Sequence, residues 1–258
     1  MHHFPETIQK AINDEIYSID DIGMSNAEIF MFSDKVLKVQ DNVLQAEREK
    51  DVLMWLNDVI NTPLVLAFEK DESKAYLLMT RLSGEMLETL DLSAEQVVHI
   101  LAQALIQWWT IDPLLCPFDY SLETKLQEAY QNILNDDIDV SQANDETYGE
   151  FGYKDPLDLY MWLKDHQPEE DIVVSHGDFT FENIIVNHDK VGFVDVGKAG
   201  KADRYQDIAL AYRGICYRFD LELNVLKGHP LKELFFNLLD IQPDYEKLNY
   251  YILLDELS

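Results

Sequence analysis

The sequence predicts an α+β protein in two parts, an antiparallel sheet with one helix followed by a mainly helical half. Three observations predict it. Short runs of β-branched and aromatic residues, separated by turn residues, fill positions 1–80. From residue 85 onward the apolar residues take a helical period. Between residues 172 and 197 that period is interrupted by short apolar strands around two polar motifs. A chain of 258 residues with 47% hydrophobic and 11% aromatic side chains can bury a substantial interior, unlike a disordered polar chain.

Strands are expected at 15–20, 28–33, 35–40, 64–69 and 75–80, with turns at Ser33-Asp34 and Asp71-Glu72-Ser73. A helix at 43–57 lies between the third and fourth. Lys38 is a charged side chain in the apolar strand Val36-Leu37-Lys38, which an edge strand alone would explain. On the helix, Glu49 shares its face with Ala46, Val52, Leu53 and Leu56, while Glu47 sits opposite with Lys50, Asp51 and Met54. A carboxylate on an apolar stripe is costly unless paired, and Lys38 is the natural cation. A Lys38–Glu49 ion pair is therefore expected. Gly23-Met24-Ser25-Asn26-Ala27 has a single glycine where a phosphate loop would be glycine-rich; Ser25 and nearby N–H groups are its candidate phosphate contacts. Met79-Thr80-Arg81-Leu82-Ser83-Gly84 closes this half, with the backbone of Thr80 and Leu82 available to adenine. Residues 81–84 are expected to link a nucleotide-binding lobe, 1–80, to a catalytic and substrate-binding lobe, 85–258.

A core helix is expected at 94–111, capped by Ser93, with Trp108-Trp109 as packing. Further helices are expected at 121–135 and at 156–166, where Pro156 suits the first turn. The acidic stretch 135–150 between them reads as a surface loop or short helix. Helices at 203–219, 231–239 and 245–256 complete the chain.

Ile172-Val173-Val174 feeds the stretch His176-Gly177-Asp178-Phe179-Thr180-Phe181-Glu182-Asn183, which reads H-x-D-x-x-x-x-N. Ile184-Ile185-Val186 and Val191-Gly192-Phe193-Val194 then flank a turn at His188-Asp189, and Asp195-Val196-Gly197 reads D-x-G. Taken singly, such an Asp or Asn is a turn residue. In this order and between these strands they are the two signatures of protein-kinase-like phosphoryl transfer. Asp178 would accept the proton of an attacking hydroxyl, and Asn183 with Asp195 would hold Mg²⁺ against the nucleotide phosphates. The three are expected at the ends of one small hairpin. Three strands, a helix and two strands is the layout of a kinase amino-terminal lobe, so the expected architecture is a bilobal protein-kinase-like fold.

Forty-nine acidic residues against twenty Lys and Arg give a formal charge of −29. Such a surface repels nucleic acid and anionic membranes and attracts cations, so beyond solubility it suits a polycationic substrate. Residues 97–109 are interrupted by His99, Gln103 and Gln107 and read as a buried helix, not a membrane span. Met1-His2-His3-Phe4-Pro5 lacks a basic region before an apolar run, so no secretory signal is expected. Cys116 and Cys216 lie far apart without metal-ligand spacing, which suits a reduced cytoplasmic protein.

With Ala202-Asp203-Arg204-Tyr205-Gln206-Asp207, Glu47-Arg48-Glu49-Lys50-Asp51, Trp55-Leu56 and the closing Leu253-Leu254-Asp255-Glu256-Leu257, these motifs make the chain closely resemble the aminoglycoside 3′-phosphotransferases, the kanamycin kinases, over nearly its whole length. The resemblance implies transfer of the γ-phosphoryl of ATP to a hydroxyl of kanamycin- or neomycin-type antibiotics, which inactivates them. It implies Asp178 as the catalytic Asp, Asn183 and Asp195 as Mg²⁺ ligands, and Lys38 with Glu49 as the phosphate-orienting pair. Ser25 matches a nucleotide-loop serine and Met79 the back of the adenine pocket. The family's carboxylate-lined antibiotic site falls on Asp145, Glu146, Glu150, Asp255, Glu256 and the terminal carboxylate of Ser258. The chain departs from the pattern at Val36, where an aromatic often stacks on adenine, in a shorter segment between Lys38 and Glu49, at Lys198 in place of Arg, and at Ser258 in place of an aromatic. Two other readings keep the fold. One is a kinase of a small metabolite such as choline, homoserine or a sugar amine, which would not need so many carboxylates. The other is a pseudokinase that sequesters cations, which would need none of Lys38, Glu49, Asp178, Asn183 and Asp195 in these roles.

Overall fold

The computed structural model describes residues 4–13, 15–20, 27–144, 147–150, 152–223 and 228–258. The chain divides into two compact units, Met1–Leu90 with Glu182–Lys198, and Asp91–Phe181 with Ala199–Ser258. This division differs from a cut at 81–84: residues 85–90 and the segment carrying Asn183 and Asp195 pack with the strand-rich unit.

The first unit begins with α1 (Glu6–Ile12) and continues through β1 (Ser18–Asp20), β2 (Glu28–Met31), β3 (Lys35–Gln40), α2 (Val43–Leu56), β4 (Val65–Lys70) and β5 (Ala75–Thr80). The strands form an antiparallel sheet in the order β1-β2-β3-β5-β4. Alternation along β3 sends Leu37 and Val39 to one face and Lys38 and Gln40 to the other. The first face is covered by α1, which the sequence reading did not anticipate. Phe4, Ile8 and Ile12 there pack with Phe30, Phe32, Leu37, Val39, Tyr76 and Leu78. Each such side chain contributes about 1.5–3 kcal/mol by leaving water. Asn42 caps α2 by accepting the Gln45 N–H at 3.1 Å, and α2 turns Ala46, Glu49, Val52, Leu53 and Leu56 inward, the face expected from their spacing. A second sheet follows the order β6-β8-β9, where β6 is Glu85–Met86, β8 is Ile184–Asn187 and β9 is Lys190–Phe193. Its β8–β9 hairpin turns at His188, whose φ is 56°.

The second unit holds α3 (Ala94–Trp109), α4 (Leu122–Asn135), α5 (Pro156–Asp165), β7 (Ile172–Ser175), β10 (Gly200–Asp203), α6 (Arg204–Arg218), α7 (Pro230–Leu239) and α8 (Tyr245–Asp255). Ser93 and Gln96 cap α3 reciprocally, and Trp108 on it is fully buried. Among its described residues, the stretch expected as loop or short helix contains one 3₁₀ turn, Val140–Gln142. β7 pairs antiparallel with β10, a strand with no branched residue, and lies against α3 and α6. The same region anchors α8. Lys247 Nζ lies 2.5 Å from the fully buried Asp203 carboxylate and donates to the Glu169 carbonyl at 2.6 Å. The Tyr250 hydroxyl donates to the Leu163 carbonyl at 2.9 Å. Among the described residues no helix is long and apolar enough to cross a membrane.

Candidate active site

Lys38 is the centre of a buried cluster in the first unit. Its Nζ lies 2.9 Å from Glu49 Oε2 and 2.8 Å from Asp195 Oδ1. Gln40, two residues along the same strand face, donates to the same Glu49 oxygen at 3.2 Å. Lys38 is 6% exposed and Glu49 2%. Burial on its own would lower the Lys38 pKa, but the two carboxylates outweigh it and the ammonium is held above its ordinary 10.5. Burial pushes the Glu49 carboxyl up, and the Lys38 ammonium pulls against that. Glu47, on the outer face of α2, pairs instead with Lys70 at 2.7 Å.

The D-x-G segment is built to meet α2. Asp195 takes a left-handed φ of 54°, a conformation that Asp tolerates better than most residues. A 3₁₀ turn at Val196–Lys198 follows. A Cβ on Gly197 would stand 3.3 Å from Glu49 Cβ, so the glycine allows the helix to approach closely. Arg48 Nε then donates to the Gly197 carbonyl at 2.7 Å. Val194 N–H donates to the Asn183 carbonyl at 3.1 Å, one step beyond the β8–β9 ladder. The hairpin thus brings Asn183 and Asp195 to the same end, as expected.

Asp178 is carried differently. It follows β7, whose partner is β10, so the expectation of one hairpin for all three residues is corrected to Asn183 and Asp195 alone. Its loop is set by Asp207 in the first turn of α6. One Asp207 oxygen accepts the His176 N–H at 2.7 Å and the other the Gly177 N–H at 3.0 Å. Gly177 has φ 85°, where a side chain would be strained. The Asp178 N–H donates to His176 Nδ1 at 3.2 Å, and its carbonyl accepts the Thr180 N–H at 2.9 Å. The His176 ring is fully buried, edge-on to Trp108 at 5.3 Å. Burial raises the Asp207 carboxyl above its ordinary 3.8, while His176 and the two N–H groups act against the shift. Backbone, ring and carboxylate hold the turn that carries the half-buried Asp178 side chain.

The remaining candidates divide. Met79 is buried at the end of β5. Thr80 is already committed to the sheet: its N–H donates to the Leu64 carbonyl and its Oγ1 accepts the Leu64 N–H, both at 2.9 Å. The Thr80 N–H is thereby taken up within the first unit. Leu82 is half-buried, and among the described residues its backbone has no hydrogen-bond partner. Glu150 is exposed. Asp255 is paired with Arg213, and Glu256 accepts from the Asn144 amide. Ser258 is exposed, with its N–H on the Asp255 carbonyl at 3.2 Å. Ser25, Asp145 and Glu146 lie outside the described residues.

Residues 27–237 match the model of the phosphotransferase enzyme family. The chain is 38% identical over 251 residues to an aminoglycoside 3′-phosphotransferase of Enterococcus faecalis, covering 92% of each protein. It is 36% identical over 250 residues to one of Staphylococcus aureus, again with 92% of each covered. The chain belongs to the aminoglycoside 3′-phosphotransferase family. Solved structures agree on the fold: an aminoglycoside phosphotransferase, APH(3″)-Id, of Streptomyces rimosus superposes with a TM-score of 0.83 at 24% identity, over 97% of this chain and 95% of that one. An aminoglycoside-3′-phosphotransferase of type VIII does so with a TM-score of 0.81 at 24% identity, over the whole of both. The α+β, protein-kinase-like architecture is the one expected.

Three contributors to this phosphotransferase's site went unassigned in the sequence. Gln40 looked like the polar end of a strand, although its i+2 spacing from Lys38 places it on the same face. Arg48 stood in a charged run, and nothing local names a carbonyl 149 residues away as its acceptor. Asp207 stood in a motif of the resemblance without a role; the available signal was a carboxylate followed directly by the apolar run Ile208-Ala209-Leu210, costly to bury unless it serves buried donors.

Proposed function

We propose that this phosphotransferase transfers the γ-phosphoryl of ATP to the 3′-hydroxyl of an aminoglycoside and so inactivates the antibiotic. The observation that carries it is Lys38 held between Glu49 and Asp195, at 2.9 and 2.8 Å, on the face of β3 away from the α1 core. A strand lysine oriented by a helix glutamate is the device that sets nucleotide phosphates in kinases. The relatives' names support the acceptor.

Each residue then has a role. Glu49, steadied by Gln40, orients Lys38 toward the phosphate oxygens of ATP. Asp178 aligns the acceptor hydroxyl and takes its proton as the new oxygen–phosphorus bond forms and ADP leaves. Asn183 and Asp195 offer an amide oxygen and a carboxylate at one end of the hairpin, hard oxygen donors of the kind Mg²⁺ prefers, and would hold the ion there. Bound there, Mg²⁺ would neutralise charge on the phosphates. Leu82 supplies backbone groups for adenine. The excess of carboxylates, with Glu150, Glu256 and the 145–146 segment among them, draws in a polycation. The site of action we assign is the cytoplasm, where ATP is available and the two buried thiols, Cys116 and Cys216, stay reduced.

The test is ADP release with Mg·ATP and kanamycin, run beside tobramycin, which lacks the 3′-hydroxyl. Turnover with kanamycin and none with tobramycin is the expected result. Equal turnover would move the target hydroxyl, and no turnover with either would overturn the acceptor class.

A further inference from the structure

Asp255 and Glu256 stand at the C-terminal end of α8. A helix C-terminus carries negative partial charge, so carboxylates there are on its unfavourable end. Residues that break a local rule in this way tend to serve function. The two are compensated in different ways. Asp255 forms an ion pair with Arg213, and the side chains are only 18% and 22% exposed. Its charge is cancelled within the fold.

Among the described residues Glu256 has no ion pair. Its Oε1 accepts two N–H groups of one residue, the Asn144 side-chain amide and the Asn144 backbone N–H, the latter at 3.3 Å. Among the described residues its Oε2 accepts none. Asn144 is itself oriented, because the Tyr217 hydroxyl donates to Asn144 Oδ1. An amide has one acceptor end and one donor end, so Tyr217 on the oxygen leaves the NH₂ facing Glu256. Neutral donors fix a carboxylate in place without cancelling its charge. Burial raises the Glu256 carboxyl above its ordinary 4.5; the Asn144 N–H groups and the Arg213 guanidinium, which is itself paired with Asp255, oppose that rise.

We propose that Asn144 and Tyr217 are positioning residues that pin one oxygen of Glu256 and present the other to an ammonium group of the acceptor. Asp255, already paired with Arg213, is the structural carboxylate of the two. This proposal rests on the cationic acceptor argued above and assigns which of the two α8 carboxylates receives it.

The experiment is steady-state kinetics with kanamycin varied at saturating Mg·ATP, for the wild type, Asn144→Ala, Tyr217→Phe, Glu256→Gln and the double variant Asn144→Ala/Glu256→Gln. Removing donors to a charged group should raise the kanamycin KM roughly tenfold in Asn144→Ala. The rise should be about two- to fivefold in Tyr217→Phe, with kcat and the KM for ATP moving less than about twofold in both. The double variant should be no worse than Glu256→Gln alone, since Asn144 acts only through that carboxylate. A purely structural role would give additive losses and would move the ATP parameters too. Tyr217 is 61% exposed, so its loss of a hydroxyl leaves the fold intact and keeps the test decisive if Asn144→Ala folds poorly. Wild-type kanamycin KM values in both Asn144→Ala and Tyr217→Phe, or additivity in the double variant, would overturn the proposal while wild-type turnover leaves the acceptor reading standing. A wild type inert toward aminoglycosides would overturn that reading and this proposal with it.

Discussion

Lys38 shows how much one side chain can depend on its neighbours. An ammonium removed from water is tolerable here because two carboxylates and a hairpin end surround it, and Glu49 is tolerable only because Lys38 is present. Lys38→Ala should therefore both destabilise the protein and weaken ATP binding, and the two effects can be separated. Lys38→Met with Glu49→Gln removes the charges together, so its melting temperature should recover toward wild type while ATP affinity, measured by titration calorimetry, does not. Wild-type affinity in that double variant would contradict the phosphate-binding role. Because the folded pKa of Lys38 is raised, the pair's contribution is present below the ordinary 10.5 and lost as pH rises through the folded value. The alkaline fall of the melting temperature should accordingly flatten in the double variant. For the proposed general base, Asp178→Ala should lower kcat by roughly 10²–10⁴ with little change in melting temperature; near wild-type turnover would remove Asp178 from the mechanism.

Elements differ in how plainly the sequence announces them. β3 and β5 were legible to the residue because branched and aromatic side chains fill them and turn residues bound them. The Glu49 face of α2 followed from helical spacing, and the Lys38–Glu49 pair from the cost of burying a carboxylate. Asp195 as a second carboxylate on Lys38 did not follow, since 157 residues separate them. α1 was hidden because seven residues offer only Ile8 and Ile12 as an apolar repeat. β10, Gly200-Lys201-Ala202-Asp203, has a composition that reads as turn, and only pairing with β7 makes it a strand. Short elements of this kind are specified by what they pack against. α1 illustrates the energetic consequence: Ile8 is fully buried against the sheet, so Ile8→Ala should cost about 2–5 kcal/mol in chemical denaturation. A loss below about 1 kcal/mol would mean that α1 is not part of the folding unit.

Over the whole molecule, a charge of −29 is the feature most readily seen in the sequence and the least specific about where a ligand binds. Its proposed use is capture. Long-range attraction between this surface and a polycation is screened over about 8 Å at physiological salt. Raising ionic strength should therefore lower kcat/KM for kanamycin several-fold while kcat at saturation changes little. A kcat/KM indifferent to salt would make the acidity a matter of solubility only. The central claim remains the chemical one, a phosphoryl group placed on one hydroxyl of an amino sugar. It is tested most directly by isolating the product of kanamycin and Mg·ATP and locating its phosphate by phosphorus–proton correlation NMR. Coupling of the phosphorus to the proton on the 3′ carbon is the expected result. A phosphate on any other carbon, or unmodified kanamycin after prolonged incubation, would contradict it.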